Sequence, residues 1–214
     1  MGLDISVKDY VEYLKNVMIK LVENKDYVTG LDSATGDGDH WVNMYVGFQK
    51  VIENADFFEE MTFSSMFREI ARMMMNSIGG SSGILYGSGY LSASKIVGDV
   101  KRIDEHQLLL ILEAMKEGII HRGNCKPGDK TMLDTLHVAN LAFGRSLIDG
   151  SDIRSALNAL KNGAIKGMNM TRDMEAAKGR AYYQKDKGIG HLDPGAVTMC
   201  YQLEVLAETL LKKM

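Results

Sequence analysis

The 214-residue chain has no excess of either charge: 25 Lys and Arg stand against 28 Asp and Glu, a net charge of −3. So close a balance offers no field for nucleic acid or an anionic membrane, and no basic stripe interrupts it. Cysteine is scarce. Cys125 and Cys200 lie far apart and neither sits in a C-x-x-C pair, which argues against a disulfide framework or a zinc site and makes a reducing, cytoplasmic compartment the expectation. Long apolar runs are missing, since charge interrupts each stretch before the roughly 20 residues a membrane helix needs. Residues 1–9 carry acids and no apolar segment that would serve as a signal peptide. Period-two alternation of β-branched residues is absent too, so a sheet is not expected.

What the chain has is helical periodicity. Ser6 precedes Val7, Tyr10, Val11, Leu14, Val17, Met18, Leu21 and Val22, an i, i+3, i+4, i+7 stripe with a capping side chain at its head. Further helices are predicted over 42–52, 64–78, 84–97, 104–120, 131–147 and 153–177. An eighth opens at Asp193-Pro194, with Asp as N-cap and Pro at the first helical position, where its missing N–H is harmless. The only other proline, Pro127, falls in a predicted loop. With 45% hydrophobic residues the chain can bury a full core. An all-α bundle of about eight helices follows, with short connections and antiparallel neighbours. The methionines, including Met73-Met74-Met75, read as core filler.

The chemistry concentrates in Leu31-Asp32-Ser33-Ala34-Thr35-Gly36-Asp37-Gly38-Asp39-His40, three carboxylates and a histidine around two glycines. Carboxylate oxygens suit hard cations such as Mg²⁺, Mn²⁺ or Ca²⁺. Asp37 and Asp39 can converge with Asp32 if the backbone folds back, for which Gly36 and Gly38 supply the freedom. The competing reading is a polar turn whose Asp residues cap a helix. An EF-hand fails on spacing: counted from Asp37, Trp41 and Val42 occupy the fifth and sixth positions, where an acid or amide and a Gly belong.

Three other clusters stand at predicted helix ends. Gly79-Gly80-Ser81-Ser82-Gly83 offers amides at a helix start as an anion cradle, although Gly/Ser clusters are commonly linkers and this one lacks the Lys of a Walker loop. Cys125-Lys126-Pro127-Gly128-Asp129-Lys130-Thr131-Met132 is a turn-to-helix junction, with capping by Asp129 the plain alternative. Gly179-Arg180-Ala181 and His191-Leu192-Asp193-Pro194-Gly195-Ala196 flank the last long loop, where Arg180 could neutralise phosphate. One acidic and one Gly/Ser-rich cluster at the ends of bundle helices suggest a Mg²⁺-nucleotide site at one end.

Taken in order, these motifs, with Asn43-Met44, resemble the nucleotide-binding L subunit of dihydroxyacetone kinase over essentially the whole chain, 1–214 as a single L-type domain. The resemblance implies an antiparallel eight-helix barrel that holds ADP or ATP at one end through two Mg²⁺ ions. It implies Asp32, Asp37 and Asp39 as metal ligands. His40 and Asn43 would sit at the phosphates, with Gly80, Ser81, Ser82 and Gly83 donating to them. Gly128, Thr131 and Met132 would border the nucleotide, and Arg180, Asp193 and Gly195 would close the site. The phosphoryl group would pass to a ketose held on a separate K-type subunit, so no catalytic nucleophile or base is expected here.

Such a subunit commonly keeps ADP bound and is recharged by an M-type phosphotransferase protein fed from phosphoenolpyruvate. An ATP-dependent two-component ketose kinase and a non-catalytic nucleotide-binding module are the alternatives, and self-association stays open. Two positions depart from the family pattern: Trp41 stands where many relatives have Gly, and Ala181-Tyr182-Tyr183-Gln184-Lys185-Asp186-Lys187-Gly188 replaces a more uniform S-Y-L-G-E-R.

Overall fold

A computed structural model describes residues 2–214, which form ten α-helices and one two-residue strand pair. The elements are β1 (Ile5–Ser6), α1 (Val7–Glu23), α2 (Lys25–Thr35), α3 (His40–Ile52), α4 (Ala55–Phe58), α5 (Phe63–Ser77), α6 (Gly80–Ile96), β2 (Arg102–Ile103), α7 (Glu105–Gly123), α8 (Met132–Ile148), α9 (Ile153–Met170) and α10 (Pro194–Leu211). Eight of the helices close a ring: α1 packs on α3, α3 on α5, then α6, α7, α8, α9 and α10 follow in turn, and α10 returns to α1. The short α4 braces α1, and α2 lies against α3 and α10.

The ring alternates in direction. The starts of α3, α6, α8 and α10 line one cavity. The starts of α1, α5 and α7 gather at the other end around residues 99–104, where Val7 N donates to Lys101 O at 3.1 Å and Phe63 N to Val100 O at 2.8 Å. Antiparallel packing thus brings four positive helix ends to one mouth, which suits an anion there.

The core holds the periodic residues of α1, α5 and α6. Tyr10, Tyr13, Phe63, Phe67 and Tyr90 meet edge-on, with Tyr10 and Phe67 centroids 5.1 Å apart. Met66, Met73 and Met74 are buried beside them, as core filler should be. The last helix is buried on nearly all sides and also touches α8, so it is the member of the ring set deepest in the core. Its buried polar groups are paired: Gln202 Nε2 donates to Tyr86 Oη at 2.8 Å, and Thr198 Oγ1 meets His40 Nε2 at 2.9 Å.

Three expectations need correction. The acidic loop is shorter than expected, because Asp32 and Thr35 belong to α2, whose only buried apolar residue is Val28, too thin a stripe to read. The fourth predicted helix starts at Gly80 rather than residue 84. Its glycines are not breaks: a Cβ at Gly83 would come 2.7 Å from Met74 O and one at Gly87 2.9 Å from Ala71 O, so the glycines are what let α6 lie on α5. The seventh ends at Met170, where Thr171 turns into a 3₁₀ turn and bonds back to Met168 O at 2.7 Å. The all-α expectation holds: among the described residues the β pairing is confined to two residues a side, Ile5 with Ile103 and Ser6 with Arg102.

Candidate functional site

The acidic corner is built by a helix end and a fold-back. Asp32 sits in the last turn of α2, and the chain reverses at Gly36, whose N–H donates to Asp32 O at 2.5 Å. A side chain at Gly36 would run into the Asp32 carboxylate, and Gly38 is left-handed at φ 78°. The result brings Asp32, Asp37 and Asp39 together, one carboxylate oxygen from each within 4.8 Å of the others. Asp39 is the N-cap of α3 but makes no capping hydrogen bond, so its carboxylate is free. The capping alternative for this residue falls with that. Asp37 pairs with Arg180 from the late loop, and Asp32 Oδ2 accepts from His40 N at 2.9 Å. Three acids with one arginine among them form the donor set of a hard-cation site.

These side chains line a cavity of about 480 Å³. Opposite the acids stands the first turn of α6, whose N-cap Gly79 carries no side chain to satisfy the helix's free amides. Asn43 reaches into that place: a Cβ on Gly79 would lie 2.7 Å from its Oδ1. Ser82 Oγ comes 3.5 Å from His40 Nδ1. Burial pushes His40 down to about 4, against the nearby Asp32 carboxylate, so its imidazole is neutral at pH 7. The third wall is α8, capped by Thr131. The fourth is α10, where Asp193 caps the helix through Ala196 N at 2.7 Å and burial raises its carboxyl to about 7.

A second hollow of about 410 Å³ opens beside the first, sharing Ser81, Leu85, Thr131, Met132, Lys178 and Gly179. Ile84, Ile119 and Cys125 make it apolar. A charged chamber joined to an apolar one fits a ligand with a phosphate end and a flat organic end.

Of the residues singled out in the sequence, Asp32, Asp37, Asp39, His40, Asn43, Gly80, Ser81, Ser82, Thr131, Met132, Arg180, Asp193 and Gly195 line the charged cavity. Gly83 and Gly128 do not. Gly83 faces α5, and Gly128 turns at φ 98° with its N–H on Asp134 Oδ1 at 2.5 Å. Asp129 caps no helix; it accepts from Lys126 N at 2.9 Å. Trp41 stands outside the cavity, stacked on Tyr45 at 5.0 Å with its Nε1 on Leu21 O. The sequence reading missed Leu85 and Ile119, whose apolar spacing looks like any core position, and gave Cys125 and Lys130 no role of their own within their turn-to-helix cluster although each lines one of the two hollows.

A protein-family model described as the DAK2 domain matches residues 34–208. The chain is 34% identical over 204 residues to the ADP-binding subunit DhaL of PEP-dependent dihydroxyacetone kinase 1 from Listeria innocua, covering 94% of this chain and 96% of that one. It is 32% identical over 182 residues to the ADP-binding subunit DhaL of the PEP-dependent dihydroxyacetone kinase of Escherichia coli, covering 85% and 87%. A solved structure of the C. freundii dihydroxyacetone kinase in complex with AMP-PNP and Mg²⁺ superposes with a TM-score of 0.68 at 21% identity, over 92% of this chain and 33% of that one. At that identity the likeness speaks for the fold.

Proposed function

From the chain's place in the DAK2 domain family, to which it belongs, we propose that it is the nucleotide-binding, phosphoryl-transferring subunit of a dihydroxyacetone-type kinase, one unit over its whole length. The observation that carries this reading is the convergence of Asp32, Asp37 and Asp39 opposite the uncapped start of α6, across a cavity continuous with an apolar recess.

Asp32, Asp37 and Asp39 would hold Mg²⁺, two ions by the resemblance; bound there, Mg²⁺ neutralises phosphate charge and orients the transferring group. The amides of the first α6 turn and the hydroxyls of Ser81 and Ser82 donate to the phosphates. Arg180 brings a planar fork of donors to the same chamber. The neutral His40, held between Thr198 and Ser82, orients without adding charge. The recess lined by Leu85, Ile119 and Met132 takes the base and excludes water from its face.

In the transfer, the bond from the terminal phosphorus to the nucleotide's bridging oxygen breaks, leaving ADP, and a bond to the ketose hydroxyl oxygen forms, its proton passing to an acceptor on the K-type subunit that holds the ketose or to solvent. Phosphoryl transfer asks mainly for positioning and charge neutralisation, which this wall supplies without a nucleophile of its own. ADP as a resident coenzyme, recharged by a phosphotransferase-system M-type protein, is the donor scheme we favour, since it agrees with the PEP-dependent names of the relatives.

The test is turnover with purified components. Ketose phosphate should form only with the K-type partner, and through the phosphoenolpyruvate-fed route. Saturating Mg-ADP at about 100 times its dissociation constant should stabilise the isolated chain by roughly 2.7 kcal/mol, reversed by chelation. An unchanged melting curve defeats the nucleotide reading. Turnover with ATP and partner alone would reject only the donor scheme.

A further inference from the structure

The loop between α9 and α10 spans residues 171–193 with two short 3₁₀ turns and no longer element, a length that usually signals function. One side chain ties both of its ends. Lys130, left-handed at φ 61°, is only 2% exposed. Its ammonium donates to the carbonyl of Thr171, where the loop leaves α9, and to that of His191 at 2.6 Å, where it approaches α10. The loop wraps the lysine stem: a Cβ on Gly188 would stand 3.3 Å from Lys130 Cε. Burial lowers the Lys130 pKa, opposed by the carboxylates of Asp193, Asp173, Asp186 and Asp134.

Resting on the nucleotide reading of the cavity, we infer that Lys130 is a positioning residue: it clasps the two ends of this loop and so sets Lys178, Arg180 and Asp193 along the cavity wall. A buried ammonium is costly unless its donors are used, and here they are used on the two carbonyls that decide where the loop begins and ends. The clasp is reinforced within the loop. Gly190 N donates to Arg172 O at 2.8 Å, Ala176 N to Lys187 O at 3.0 Å, and Ala177 N to Asp129 O at 3.1 Å, on the residue before Lys130. Asp193 N donates to Thr171 Oγ1 at 3.1 Å, joining the ends a second time. The metal-type carboxylates belong to a different segment, at the end of α2 and the start of α3. Loosening the clasp therefore loosens the wall over the ligand, Arg180 included where it meets Asp37, while the fold-back at Gly36 that gathers the three acids does not depend on it.

Lys130→Met keeps the stem and removes the donors. Without nucleotide, trypsin should cut the loop at Arg172, Lys178, Arg180, Lys185 or Lys187 at least tenfold faster than in the native chain, with cleavage elsewhere unchanged. Mg-ADP affinity should fall at least tenfold, while the partner-supported rate at saturating nucleotide falls less than threefold. Native loop cleavage in a folded variant overturns the clasp, and so does cleavage accelerated equally across the chain, which would make Lys130 an ordinary core residue. Loop release with no nucleotide binding in either protein would leave the clasp standing and sink the nucleotide reading. If the variant does not fold, hydrogen exchange on the native chain decides: the amides of Ala176, Ala177 and Gly190 should exchange together at one rate, and independent exchange overturns the proposal.

Discussion

At the end of the ring away from the cavity, the helices α1, α5, α7 and α9 start on Ser6, Thr62, Asp104 and Asp152, and each of these side chains accepts a hydrogen bond from its own first turn. Three of them complete a reciprocal capping box. At the cavity end, α8 and α10 are capped by Thr131 and Asp193, but α3 and α6 are not. A Gly stands where α6 would need a hydroxyl, and Asp39, a residue type that caps well, leaves the α3 amides and joins Asp32 and Asp37 instead. The same fold thus finishes the starts of α1, α5, α7 and α9 at one end, and at the other leaves the α6 amides and the Asp39 carboxylate unspent. Unspent groups in a cavity are what a charged ligand can use.

The contrast predicts opposite responses to mutation, and the acidic corner should give the largest. Asp37→Asn or Asp39→Asn should weaken Mg-ADP binding by about 100-fold or more, near 3 kcal/mol, in calorimetry. The melting temperature without ligand should hold or rise, because each change relieves repulsion among carboxylates that share one arginine. A variant that binds Mg-ADP at native affinity would remove the acidic corner from the site; one that melts well below the native chain would make these acids structural.

Much of this contrast was legible in the residues. The capped starts at Ser6 and Asp193-Pro194 follow from a polar side chain placed before an apolar stripe, and the eight-helix count of the ring follows from the stripes themselves. The three acids were readable as a candidate cation set from their crowding around two glycines, but a capping turn has the same composition, and only the fold-back that brings them together separates the two. What stayed hidden depends on packing. Gly83 looked like part of a phosphate cradle, but only its distance to Met74 O and Ile78 O shows that it serves the α5–α6 contact. The apolar recess was invisible because Leu85 and Ile119 follow the same periodicity whether they face a core or a ligand. Lys130 could not be assigned because its partners, Thr171 and His191, lie far along the chain.

A smaller effect separates the two kinds of cap. Asp193 is pushed from 3.8 up to about 7 by burial, so the folded chain favours its neutral form. The stability it contributes is fully present below about pH 4 and is lost as the pH rises through about 7. Asn caps a helix as well as Asp and does not titrate. Asp193→Asn should therefore flatten the fall in unfolding free energy of the ligand-free chain between pH 5 and 8 by about 1–2 kcal/mol. A pH profile identical to the native one would show that the acid is solvated and behaves like the exposed caps at the far end.

The smallest effect should come from that far end. Asp104 accepts from Gln107 N at 2.8 Å while Gln107 Oε1 accepts from Asp104 N at 3.1 Å, an exposed reciprocal pair on α7 remote from the cavity. Asp104→Ala removes the bond from Gln107 N, leaving the backbone donor of residue 104 in place, and should cost about 1 kcal/mol, read as a lower denaturant midpoint with an unchanged slope. Mg-ADP affinity should not move, because neither Asp104 nor the start of α7 lines the cavity. Thr131→Ala supplies the matched comparison. It deletes a cap of the same kind, from Leu133 N at 3.1 Å, but on a helix whose first residues line both hollows. It should lose a similar amount of stability and, unlike Asp104→Ala, nucleotide affinity as well. Equal loss of affinity in the two variants would mean that binding follows global stability, and the division between a finished end and an unspent end would fall.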